Sequence, residues 1–81
     1  MKLPEQWHQL DQDEDEHIYV HKTDDDPHYY DKSVEIARQD KGWSVIARHG
    51  RDSNAREICN HQFPDKIQAE KKVQQLMSGG F

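Results

Sequence analysis

Cys59 and His61 are the chain's one nucleophile–base pair. Two residues apart on an extended strand, they stand side by side on one face rather than in an attacking geometry. A buried cysteine beside Phe63 is the simpler reading. No glycine-rich phosphate loop, no Gly-x-Ser-x-Gly elbow and no pair of carboxylates on strong elements accompanies them. The expectation is a protein that is not an enzyme and needs no cofactor.

Six histidines raise the question of a metal. His17 and His21 are four apart, near Asp13, Glu14 and Asp15, but that spacing suits a helix face and HIYVHK reads as a strand. Zinc takes three or four ligands in a tetrahedral array, and a single cysteine with scattered histidines does not supply them. The acidic stretch TDDDP, residues 23–27, lacks the Gly and distal Glu of an EF-hand loop. No metal site is expected.

Binding chemistry remains. The stretch GWSVIARHGRD, residues 42–52, runs an apolar alternation into His49, Gly50 and Arg51. A guanidinium presents a planar fork of donors suited to phosphate or carboxylate. Arg48 and Arg56 flank the same turn, and with Arg38, Lys41 and Arg51 they form a candidate basic edge. The plainer reading of Arg51 is a solvated turn arginine paired with Asp52 or Glu57. Tyr29, Tyr30 and Trp43 are candidates for stacking on single-stranded nucleic acid. A Trp at the head of a strand is more often core or core-edge, and extended neighbours such as Tyr29 and Tyr30 point to opposite faces.

The elements that must position these groups follow from period and punctuation. HIYVHK, residues 17–22, places Ile18 and Val20 on one strand face and Tyr19 on the other. Residues 32–39 form a second strand carrying Val34 and Ile36. Asp40-Lys41-Gly42 supplies a hairpin turn in which Gly42 takes positive φ. The next strand sets Trp43, Val45 and Ala47 on one face. GRDSN, residues 50–54, is a turn, and AREICNHQF a further strand ending at Pro64. From Asp65 the period changes to that of a helix over 65–78. Asp65 with Gln68 fits a capping box, Ala69, Val73, Leu76 and Met77 form the apolar stripe, and Gly79-Gly80 stops it. The expected fold is α+β: a small antiparallel β-meander of three to four strands packed against one C-terminal helix.

Eighty-one residues make one domain. Its net charge of −5 is uneven: residues 1–27 hold nine acids against two bases, and residues 28–81 seven acids against nine bases. Residues 1–16, with their DQDEDE block, are expected to form an acidic, flexible leader, and residues 17–81 the folded domain. Trp7 and Leu10 have the option of docking on that body. No apolar run approaches the roughly 20 residues of a membrane helix, the N-terminus lacks the apolar stretch of a signal peptide, and the single cysteine forms no internal disulfide. The expected setting is the cytoplasm, without membrane contact.

Lys32-Ser33-Val34-Glu35-Ile36, a strand into His49-Gly50-Arg51, Phe63, and a helix carrying Ala69 and Leu76 together resemble a WGR domain over about residues 28–79. His49 stands where that family has Trp, and Ser33 and Val34 where it has aromatics. Asp52-Ser53-Asn54 lacks its turn glycines. The resemblance implies a sheet with a helix and non-catalytic nucleic-acid binding near a strand end, with Gly50 and Arg51 the matching motif residues and His49 a weaker stacking group than Trp. Binding residues are therefore expected among Arg48, His49, Gly50, Arg51 and Arg56. The alternative is a protein-interaction or regulatory module whose acidic N-terminal segment contacts a basic partner.

Overall fold

Val34, Ile36, Val45 and Ala47 are the apolar half of two alternating strands, and the fold is built around them. The structure, a computed structural model, describes residues 3–22, 30–50, 55–79 and 81, with residues 11 and 12 as backbone only. Six elements follow in chain order: β1 (Trp7–Gln12), β2 (Glu16–His21), β3 (Lys32–Gln39), β4 (Gly42–His49), β5 (Arg56–Phe63) and α1 (Lys66–Gly79). The five strands lie in the order β1-β2-β3-β4-β5, each antiparallel to its sequence neighbour.

The β3–β4 hairpin forms as the alternation predicts. Val34 faces Ala47, Ile36 faces Val45, and Gln39 opposite Gly42 closes the turn on Asp40 and Lys41. Gly42 has φ +147°, and a Cβ on it would overlap the Phe63 carbonyl oxygen. Glycine is therefore required both by the turn and by the approach of β5.

Helix α1 covers one face of the sheet, lying over β3, β4 and β5. Asp65 caps it: its Oδ1 accepts a hydrogen bond from the Gln68 amide at 2.8 Å. Ala69, Val73 and Met77 are buried against Val34, Ile36, Val45 and Ala47, and Leu76 packs at the margin. Ile67 stays exposed.

The strand count exceeds the expected three to four by one, and the extra strand comes from the segment read as a flexible leader. Trp7 explains the difference. It is only 5% exposed, and it joins Tyr19 in the core under the helix-side face. The acidic block becomes the turn of the β1–β2 hairpin, where the Asp13 amide donates to the Glu16 carbonyl at 2.9 Å. Asp13, Glu14 and Asp15 remain exposed there, so the charge does not oppose the fold. In β2, Tyr19 turns to the helix side and Ile18 and Val20 to the other, as the alternation requires.

A β-bulge interrupts β5. Ala47 faces Cys59, but Arg48 faces Glu57, which leaves Ile58 as the extra residue, 46% exposed. Among the described residues no helix is long and apolar enough to cross a membrane.

Candidate functional site

Cross-strand register decides which chemistry-bearing side chains meet. At one end of the sheet, Trp7 faces His21, His21 faces Lys32, Lys32 faces His49, and His49 faces Arg56. Facing residues share a side of the sheet, so the five form one row across all five strands. Trp7 belongs to the core under α1, which fixes the row on the helix side. The span from His21 to Arg56 crosses three inter-strand gaps, about 14 Å.

Phe81 returns from the end of the helix and packs onto this row. Its ring centroid lies 5.3 Å from that of His49 and 6.1 Å from that of Trp7. The Lys32 ammonium sits over the same ring, 5.4 Å from its centroid. At the β2 end, His21 makes an edge contact with Trp7 at 5.3 Å, and its Nδ1 lies 2.7 Å from Asp31 Oδ1. Asp31 also ties the strand ends together. Its amide donates to the His21 carbonyl at 3.2 Å, and its own carbonyl accepts from the Gly50 amide at 2.8 Å. Gly50 holds φ +86°, a conformation that favours glycine after β4.

The expected basic edge around Arg48, His49, Gly50, Arg51 and Arg56 therefore divides. His49 and Arg56 are both exposed and share the row. Gly50 serves as a backbone tie. Arg48 points to the opposite, helix-free side, where its Nη1 donates to Glu35 Oε2 at 3.1 Å. That pair sits in an open groove lined also by Leu10, Ile18, Tyr30, Ser33 and Ala55. Arg51 lies outside the described residues. Arg38 and Lys41 are exposed at the far end of the sheet, and Arg38 Nη1 lies 3.4 Å from Asp15 Oδ1.

The aromatic trio does not assemble. Trp43 is half-buried beside Phe63 at the far end, with the Lys66 ammonium 5.4 Å from its ring centroid. Tyr30 lines the helix-free groove, and Tyr29 falls outside the described residues. Cys59 and His61 share one face, as expected. Cys59 is a free, half-buried thiol against the core and His61 is exposed. Gln9 Nε2 lies 3.1 Å from His17 Nδ1, and no group of three metal-ligating side chains forms among the described residues.

Three residues at the row are not among the binding residues expected from sequence: His21 and Lys32 within it and Phe81 packed onto it. Only the pairing register brings the first two beside His49. Phe81 carried one signal, an isolated aromatic after a Gly-Gly helix stop, free to fold back. Next along β2, Tyr19 has its phenol pushed above the ordinary tyrosine range by burial and, second, by the negative charge of Glu70.

Comparison of the chain with protein-family models, with curated proteins and with solved structures finds no match.

Proposed function

We propose that the chain is a small non-catalytic binding domain that takes nucleic acid at the strand-end row. Lys32 and Arg56 serve as phosphate contacts and His49 lies between them. The observation that supports this most is the register placing those three side by side on neighbouring strands. Arg51, two residues beyond His49, belongs to the same proposal on sequence grounds, as does the likeness to WGR domains.

The net charge of −5 argues against a nucleic-acid partner, and one acid, Asp31, stands at the row itself, paired with His21 at 2.7 Å; the acids of the β1–β2 turn lie elsewhere. Asp13, Glu14 and Asp15 occupy the β1–β2 turn, beside Arg38 at the opposite end of the strands. From Lys32 to Arg38 the strand advances six residues, about 20 Å at the usual rise of ~3.4 Å per residue. That exceeds two Debye lengths at physiological salt, about 8 Å each, so the turn does not screen the row. Residues 24–26, a second acidic stretch, fall outside the described residues.

The test is fluorescence anisotropy of labelled single-stranded and nicked duplex DNA at two salt concentrations. Two fixed cations neutralising two phosphates give a slope of log K against log salt of about −1.4 on a single strand. Charge reversal at Lys32 and Arg56 together should abolish binding, while Lys41→Glu, at the far end, should leave it intact. Equal loss in both variants, or none in either, would remove the row from the proposal.

One observation favours a second reading. The exposed carboxylates of Asp13, Glu14 and Asp15 project at a hairpin tip, a shape suited to a basic protein partner. Neutralising all three would release such a partner and leave nucleic-acid affinity unchanged.

A further inference from the structure

We infer that the ligand of the strand-end row is single-stranded, and that Phe81 is the ring on which one unpaired base stacks. The inference rests on the proposed nucleic-acid function and specifies the form of the ligand and a contact outside the sequence motif.

The row contains three aromatic rings besides His21, in a column of Trp7, Phe81 and His49. Trp7 is 5% exposed and has no face to offer. Phe81 is half-buried, backed by Trp7 and His49, with an ammonium rather than a carbon surface over its ring. That ammonium belongs to Lys32, the flexible cation assigned here to phosphate. A cation over a benzene ring at a partly exposed site holds on weakly, and a phosphate oxygen is the stronger partner for it. When a phosphate draws the ammonium aside, the ring it covered becomes free. A base attached to the same backbone then has a π surface within reach, beside His49. Phosphate contact and base stacking are thus coupled through one side chain.

Duplex DNA cannot use this platform. Its base faces are covered by their neighbours in the stack, and only its backbone reaches the row. An unpaired base presents a bare face, and stacking on an aromatic side chain strengthens binding without demanding a sequence. The groups are close enough for one nucleotide to engage both: Lys32 Nζ is 5.4 Å from the Phe81 centroid.

The variants are Phe81→Leu, which keeps an apolar cover over Trp7 but has no ring, and Phe81→Trp, which restores one. The probes are a labelled oligothymidylate and a blunt duplex of matched charge. Phe81→Leu should bind the single strand at least about fivefold more weakly and the duplex as before, and Phe81→Trp should recover the single-strand affinity. Undiminished single-strand binding by Phe81→Leu would overturn the stacking role while leaving the row intact. Loss on charge reversal at Lys32 and Arg56, with no preference for single strands, would do the same. Absence of binding to either probe would overturn both proposals. A second readout does not depend on the folding of a Phe81 variant. With Trp43→Phe, Trp7 is the sole remaining tryptophan, and its emission should change with oligothymidylate in step with the anisotropy curve. Emission unaltered through saturation would refute stacking on its neighbour.

Discussion

Replacing Trp7 by Ala tests whether one side chain recruits a strand that is otherwise polar. Strand β1 reads WHQLDQ, and its other large apolar residue, Leu10, is 49% exposed. Nearly all the apolar burial that holds β1 to the sheet therefore comes from Trp7. A buried Trp removes about 200 Å² from water, worth about 5 kcal/mol at ~25 cal/mol per Å². Mutational experience with Trp→Ala gives about 3–5 kcal/mol. A domain of this size has only about 4–12 kcal/mol in total. At about 4–8 °C per kcal/mol for a small domain, the melting temperature should fall by at least about 12 °C. The loss should also be local before it is global. The Lys22 amide, which donates to the Gln6 carbonyl at 2.9 Å, should lose hydrogen-exchange protection. Amides of the β3–β4 hairpin should keep theirs at low temperature. Circular dichroism melts and amide exchange followed by NMR read the two effects. A melting shift under about 4 °C with Lys22 still protected would show that backbone pairing alone retains β1, and the burial argument would fail.

Two further outcomes are specific. The Tyr19 phenol is held above its ordinary value of about 10 by burial and by Glu70, so folding favours the neutral form. The stabilisation is complete below pH 10 and declines as the pH climbs from there toward the folded value; melting curves from pH 9 to 11.5 should show a steeper alkaline fall in wild type than in Tyr19→Phe, and parallel curves would contradict the shift. Deletion of Ile58 removes the extra residue of the bulge and leaves every β4–β5 pair as it stands, so the melting temperature should move by only a few degrees. Deletion of Ile46 falls in a ladder with no bulge, so it turns part of the β3–β4 apolar set to the wrong face and should unfold the protein; comparable tolerance of the two deletions would refute the assigned register.

The β3–β4 hairpin and the helix were legible because each carries several apolar residues at its own period. Val34, Ile36, Val45 and Ala47 repeat every second residue, and Ala69, Val73 and Met77 every fourth. Punctuation agreed with period: Gly42 at the turn, Asp65 at the cap. Strand β1 was not legible, because a six-residue strand with only Trp7 and Leu10 as large apolar residues has no period to read. Its charge block pointed toward disorder, yet a hairpin turn holds exposed carboxylates without cost to the core. The candidate site was half legible. His49 is expected from the resemblance, and Arg56 from its closeness in sequence to one turn. Arg48 was named on the same ground and faces the other way, since neighbours on a strand alternate.

What brings Arg56 into the row is the bulge, and that is why no local pattern announced it. Continue the ladder from Ala47 opposite Cys59 without interruption, and Arg48 would face Ile58 and His49 would face Glu57. The extra residue shifts the pairing by one, so that His49 faces Arg56 and Glu57 passes to the helix-free side opposite Arg48. The row thereby gains a guanidinium where a regular strand would set a carboxylate, and Arg48, the partner of Glu35 on the helix-free side, gains a second acid nearby. One inserted residue thus sorts the charges of the β4–β5 end by face: cations beside Lys32 on the helix side, acids around Arg48 on the other. Regular alternation cannot do this for the sequence Arg-Glu-Ile-Cys, which would place Glu57 on the face of Cys59. On this structure the electrostatic character of the proposed site is a property of Ile58's displacement as much as of the basic residues themselves.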